Sequence, residues 1–188
     1  MTSLEHLQRV TIGKVAKNKP IKLVDYDPNW ATFFEAQKTK IKRALGKTAL
    51  KIEHVGSTAI SGLCAKPIVD ILLLVPDSAK EQSYLPQLEE AGFSLRIREP
   101  DFEEHRMLID VGEHLHLHVY SPNSKEAKDL VNFRDWLRIN EVDRLKYQQT
   151  KAKLAKQNWS TVQDYADAKG PVIDEIKQHA NAYFAQKR

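Results

Sequence analysis

Two groups of residues in this chain have types and spacings that can do chemistry. The first joins a polar turn, Gly56-Ser57-Thr58, to a lone carboxylate, Asp70, which sits in the apolar run 67–75 with twelve residues between Ser57 and the acid. A glycine and a hydroxyl at the start of a helix leave backbone N–H groups free to hold a phosphate. An acid at the head of an apolar strand is costly to bury unless something pairs with it. The pair therefore suggests a site for a phosphorylated ligand with a cation nearby.

The second group is His114, His116 and His118, which alternate with Leu115, Leu117 and Val119. Strand alternation puts all three imidazoles on one face, with neighbours about 6–7 Å apart along the strand. If this strand lies beside that of Asp70, then Asp70, His116 and His118 converge on one divalent ion. A mixed nitrogen and oxygen set suits zinc, manganese or iron better than magnesium. The competing reading is three solvated or phosphate-binding histidines on an edge strand.

Other residues have one functional and one structural reading each. His54 either orients a ligand at the turn or is a hydrogen-bonded core histidine. Ser57 and Thr58 either donate to phosphate or cap a short helix over residues 58–64. The cationic candidates are Lys66, Arg106, Arg134, Arg138, Lys151 and Lys169. Arg134 and Arg138, four apart on a helix, repel unless an anion or an acid lies between them. A guanidinium fork on phosphate is one solution; pairing with Asp135 is the other. Trp136, Tyr147 and Tyr165 either stack on a base or fill the core, and Cys64 reads as packing. No Walker-type Gly-Lys-Ser/Thr string is present, so a P-loop reading fails.

The string His54-Val-Gly-Ser-Thr-Ala, then Gly62-Leu63, then Ala65-Lys-Pro-Ile-Val-Asp70-Ile71 resembles the GrpB family (UPF0157), within the nucleotidyltransferase-like superfamily. Tyr26-Asp27-Pro28 with Trp30, Leu115–Val119, and Phe133-Arg-Asp-Trp-Leu-Arg138 followed by Tyr147, Lys151, Tyr165 and Lys169 extend the likeness from about residue 20 to the C-terminus. Ser61 departs from it, where the family more often has proline. In the superfamily a Gly-Ser turn holds a triphosphate, and two acids at alternate strand positions hold divalent metal. Here the second acid position is Leu72, and two-metal transfer needs several oxygen ligands.

The resemblance implies a nucleotide or other phosphorylated small molecule as ligand, held by Gly56, Ser57, Thr58, Lys66, Arg134 and Lys151. Asp70 is the catalytic candidate, with His116 and His118 beside it on a divalent ion (magnesium, manganese or zinc). Metal-assisted nucleotidyl or phosphoryl transfer is the implied chemistry. One alternative is a non-catalytic binding or accessory domain, in keeping with family members fused to dephospho-coenzyme A kinase and a role beside coenzyme A biosynthesis. Another is a His/Asp metal-dependent hydrolase.

The elements that must position these residues follow from the pattern. The chain has 188 residues, 41% hydrophobic and 29% charged, with a net charge of +4. That charge favours anionic partners only mildly, and basic residues interleave with acids, against a nucleic-acid stripe. One cysteine, no apolar run near the ~18 residues of a membrane span and no signal-like start point to a cytoplasmic protein with no membrane partner. Residues 1–20 read as an extension with one short helix over 3–10 and basic Lys14, Lys17 and Lys19. Residues 21–123 read as a nucleotidyltransferase-like α/β (α+β) core with a mixed sheet and flanking helices. Its elements are a possible strand at 21–24, a helix over 29–45, strands at 51–55, 67–75 and 93–98, a helix over 78–91 broken near Pro86, and a hairpin of 104–110 with 114–120. Beyond Pro122, helices over 124–139, 141–157 and 160–186, the last broken near Gly170-Pro171, form a C-terminal helical region over 124–188. The two regions are read as packing into one structural unit.

Overall fold

Asp70 and the histidines end up together because of how five strands are ordered. In the computed structural model, which describes residues 3–13 and 20–187, the strands are β1 (Lys51–Val55), β2 (Val69–Leu74), β3 (Phe93–Glu99), β4 (His105–Asp110) and β5 (Leu115–Tyr120). They form one sheet in the order β1-β2-β5-β4-β3. All neighbours run antiparallel except β2 and β5, which are parallel and sit at its centre. Lys14, Lys17 and Lys19 lie outside the described residues.

Alternation along these strands gives the sheet two different faces. Val69, Ile71 and Leu73 of β2, with Leu115, Leu117 and Val119 of β5, face a helical layer. That layer is helix α2 (Asn29–Leu45), which contributes Trp30, Phe34, Ile41 and Leu45, and helix α3 (Leu85–Glu90), which contributes Leu88. Each fully buried Leu or Ile here stabilises the fold by about 1.5–3 kcal/mol. The core therefore anchors the two central strands from one side, and their other face is left for polar groups.

The C-terminal helices cover only part of that second face. They are α4 (Lys125–Ile139), α5 (Glu141–Ala155), α6 (Val162–Ala168) and α7 (Gly170–Ala185). Ser124 and Asn140 cap α4 and α5 through their side chains, and Pro171 sits in the first turn of α7, where its missing N–H costs nothing. Phe133, Leu137, Tyr147, Val172 and Ile176 close around Ile60 and Leu63, the loop that follows the polar turn. A second contact joins Ala127 to Val55, Leu72 and Tyr120 of the sheet.

Helix α1 (Ser3–Val10) covers the β3 edge of the sheet, as blunting of an edge strand requires. Thr11 bridges Ile97, and His6 and Arg9 pair with Glu99 and Asp101. Four expectations need correction. Residues 58–64 form no α-helix: a single 3-10 turn, Ser57–Ala59, ends at extended Ile60, and Gly62 turns the chain at φ +76°. The 78–91 helix reduces to a 3-10 turn at Glu81–Ser83 and α3, with Pro86 opening the latter. Of the segment 21–24, only Val24 pairs, in an isolated bridge with Ala65. The last strand starts at Leu115, so His114 belongs to the hairpin turn and not to the histidine face.

Candidate metal and anion site

The register of β2 and β5 sets Asp70 directly opposite His116, and Leu72 opposite His118. Paired residues share a face, so one carboxylate and two imidazoles point the same way. His116 Nδ1 lies 3.3 Å and His118 Nε2 3.6 Å from Asp70 Oδ1. One donor atom from each residue falls within 4.8 Å of the others, the spacing of a cation-binding cluster. Burial of Asp70 pushes its carboxyl up. The two histidines outweigh that and hold it well below the usual carboxylate range. At about 30% side-chain exposure it remains open to a ligand.

The backbone is shaped to bring Asp70 to this point. Val55 pairs with Asp70 across β1 and β2, so the chain turns at Gly56, immediately beside the carboxylate. Gly56 has φ +69° and ψ −170°, a conformation essentially reserved for glycine. A β-carbon there would lie 3.0 Å from that of Asp70 and closer still to Oδ2. The glycine is therefore part of the aspartate's seat.

Beside the turn lie three lysines from separate parts of the chain. Lys151 of α5 is 2% exposed and donates to Ser57 Oγ at 3.1 Å and to the Cys64 carbonyl. Lys66, before β2, and Lys169, ahead of α7, sit over the Tyr165 ring at 6.0 and 4.8 Å. None of the three has a carboxylate within ion-pair distance among the described residues. Burial lowers all three; Lys151 and Lys169 fall to about 8, with Lys169 further repelled by Lys66, and Asp70 opposes the shift in each. Tyr165, 1% exposed, has a hydroxyl with no hydrogen-bond partner among the described residues. Such a cluster is short of negative charge.

The depressed lysines give a pH dependence with a definite sign. An unfolded lysine titrates near 10.4. Between pH 8 and that value the unfolded chain therefore binds more protons than the folded one, and stability rises with pH. The expected gain is about 1 kcal/mol each for Lys151 and Lys169 from pH 7 to 9.5, after allowing for solvent screening. Urea melts across that range measure it, and Lys169→Met should flatten the slope by about half.

Other candidates lie elsewhere. His54 faces the apolar layer, stacked on Phe34 at 4.9 Å and hydrogen-bonded to Thr58 Oγ1 at 3.0 Å, with burial pushing it down to about 4. It is a neutral core histidine, and it engages the hydroxyl of Thr58. His114 is 67% exposed and pairs with Asp110. Arg106 is bound to Glu81 and Glu104, and Arg138 to the Ala59 carbonyl. Arg134, expected on the phosphate, has its donors taken by Glu53 at 2.8 Å, the His54 carbonyl at 2.8 Å and both oxygens of Asp135. It ties α4 to β1 and has little left to offer a ligand. Arg134→Met should cost about 2–3 kcal/mol of stability in urea unfolding and leave ligand affinity, per folded molecule, unchanged.

Two residues that reading the chain missed join the site from behind. His105 Nε2 lies 3.1 Å from His118 Nδ1, and His105 Nδ1 lies 2.6 Å from Glu99 Oε2. The signal was available in the hairpin: residues 105, 107 and 109 share a face, and Met107 pairs with His118.

Residues 20–179 match the family described as GrpB protein. This chain belongs to the GrpB family. It is 49% identical over 179 residues to a UPF0157 protein of Halalkalibacterium halodurans, covering 95% of this chain and 92% of the relative. A dephospho-CoA kinase of Mycobacterium bovis is 27% identical over 190 residues; the match takes 86% of this chain but 46% of that protein. The crystal structure of conserved protein GrpB from Enterococcus faecalis superposes with a TM-score of 0.75 at 27% identity, covering 87% of this chain and 99% of that one. The GrpB fold is thus the mixed α/β sheet with flanking helices described above. No helix among the described residues is long and apolar enough to cross a membrane.

Proposed function

We propose that this GrpB protein binds a phosphorylated small molecule, a nucleotide fitting best, together with one divalent cation. The carrying observation is the convergence of Asp70, His116 and His118 on one point beside three lysines that have no carboxylate within ion-pair distance among the described residues. Lys66, Lys151 and Lys169 would neutralise phosphate oxygens, with Ser57 and the backbone at Gly56 and Thr58 donating to them. The cation would be held by Asp70, His116 and His118, a donor set that fits manganese or zinc more closely than magnesium. When bound, it would polarise a phosphoryl oxygen as a Lewis acid.

A specific observation favours binding without transfer as the second reading. Leu72, at the position of the second acid, is 1% exposed and packed against Val55, Tyr120 and Ala127. A second metal therefore has no carboxylate there. The dephospho-CoA kinase relative, of which this fold forms less than half, is consistent with an accessory domain. A cytoplasmic setting suits both readings.

The test is thermal stabilisation of the full chain by nucleoside triphosphates and coenzyme A precursors, with and without manganese, zinc or magnesium. Bound ligand at a hundredfold excess over Kd stabilises by about 2.7 kcal/mol. We expect a nucleotide shift that needs manganese or zinc and disappears in Asp70→Asn and Lys151→Met. A shift without turnover would select the binding reading. Stabilisation unchanged in both variants would overturn the site.

A further inference from the structure

Ser57 sits at a sharp bend. Strand β1 ends at Val55, Gly56 turns the chain at φ +69°, and the 3-10 turn Ser57–Ala59 follows at once. The Ser57 side chain is left half-buried, against α5. Lys151 Nζ lies 3.1 Å from Ser57 Oγ and is also bonded to the Cys64 carbonyl. Tyr147, one turn earlier on α5, sets its ring 4.6 Å from the same Nζ and brings its phenol into hydrogen-bond contact with Ser57. Lys151 is 2% exposed and Tyr147 5%. A hydroxyl thus meets a buried amine that a main-chain carbonyl holds in place, the order of nucleophile, base and orienting group.

What surrounds this lysine suits a base. The groups that face it are Ser57 and Cys64 from the turn and the loop behind it, Tyr147 on its own helix, Asp70 on β2 and Lys169 ahead of α7. Burial disfavours the ammonium most, and Lys169 adds repulsion. Cys64 and the more distant Asp70 oppose both, and Lys151 falls to about 8. Either proton order fits the 3.1 Å contact: the ammonium donates to Ser57, or the amine accepts from Ser57 and keeps an N–H on the Cys64 carbonyl. The chemistry does not depend on which order is at rest. It needs only that the amine be reachable near neutral pH, as it is for a lysine at about 8 and not for one near 10.4.

We propose that Ser57 is a nucleophile with Lys151 as its base, and that the site cleaves a phosphate ester through a phosphoserine at Ser57. The inference rests on the reading of the ligand as phosphorylated, and not on the cation. Ser57 Oγ attacks phosphorus as its proton passes to Lys151 Nζ. The bond from phosphorus to the leaving oxygen breaks, and that oxygen departs with the electron pair and the proton from Lys151. Water then attacks phosphorus and gives a proton to the Lys151 amine, and the Oγ–P bond breaks as Oγ takes that proton. The balance is one ester and one water converted to one alcohol and one phosphate. Lys66 and Lys169, held over the Tyr165 ring, supply positive charge for the phosphoryl oxygens.

The experiment uses the full chain. A fluorophosphonate, which loses fluoride to an activated serine, reads nucleophilicity in the presence of a chelator. p-Nitrophenyl phosphate, with and without manganese or zinc, reads the phosphoryl step after an acid quench, and peptide mapping by mass locates either adduct. Ser57 should carry the phosphonyl group, at a rate that rises about a hundredfold from pH 6 to 9 and then levels off as Lys151 loses its proton. Labelling driven by hydroxide alone would not level off. Lys151→Arg keeps the positive charge but cannot give up its proton. That variant and Lys151→Met should each label at least about a hundredfold more slowly, with circular dichroism confirming the fold of each. Ser61→Ala, at an exposed serine of the same loop, should label as wild type does. No adduct at Ser57, or undiminished labelling in a folded Lys151 variant, would overturn the proposal. Phosphonyl labelling with no phosphoserine would overturn the phosphoryl step. A wild type that labels at Ser57 but is stabilised by no phosphorylated compound would instead overturn the ligand reading.

Discussion

Gly56→Ala is expected to abolish divalent-cation binding and to destabilise the protein, although it adds one methyl group. The backbone at φ +69°, ψ −170° costs an alanine about 1–3 kcal/mol. The new carbon would also press on Asp70 Oδ2, and the neighbour that must yield is the carboxylate itself. His116 and His118 lie on its other side, so Asp70 can yield only by swinging toward solvent, away from the two imidazoles and out of the cluster. Urea unfolding should show the stability loss, and calorimetry with zinc should show no saturable binding. A variant that kept wild-type zinc affinity would mean that the seat beside Gly56 is not what orients the aspartate.

Asp70→Asn is expected to reduce cation affinity by at least about a hundredfold, more than the loss of a partner behind a ligand would. The amide is nearly isosteric, so the change removes charge while leaving shape. Two effects add. The anionic ligand is lost, and an amide N–H can now face the lone pairs that would otherwise meet the ion. Stability should respond in a defined pH range. The folded-state carboxyl is held below its unfolded value near 3.9, so its contribution is present above that pH and fades as the pH falls toward the folded value. The stability gap between wild type and Asp70→Asn should therefore be constant above about pH 4 and narrow steadily as the pH falls below it. A gap that does not narrow on acidification would assign the effect to packing instead of charge.

Local pattern was enough for most elements, but the roles of the site residues depend on long-range geometry that it does not encode. The bounds of β1 and α2 follow from residues 51–55 and 29–45 because alternation and helical spacing act within the segment. Asp70 was suspect as a lone acid among apolar neighbours. Its meeting with His116 depends on β2 lying parallel to β5, which no local signal encodes. Arg134 shows the opposite failure. Its spacing from Arg138 suggested an anion, but Glu53, eighty-one positions earlier, supplies the negative charge. Glu99, one residue beyond the strand read at 93–98, and His105, within the strand read at 104–110, carry no sign of a role until β4 is paired with both β3 and β5. The turn at Ser57 was expected to open a longer helix, and Ile60 and Leu63 instead leave it to pack under α4, α5 and α7.

The parallel central pair has a consequence for how the protein acquires its site. Asp70 and His116 are joined only after the chain between them has folded out as β3 and β4 and returned. That closure is slow to reach on entropic grounds and is rewarded late. Neither half of the cluster can preform in a local intermediate, because β1–β2 alone holds no histidine on the Asp70 face and the β4–β5 hairpin alone holds no Asp70. An ion captured there discriminates the completed fold from every partly built one. Cation-linked protection should therefore reach the slowest-exchanging amides of β2 and β5 and track the global opening free energy, not that of a single loop.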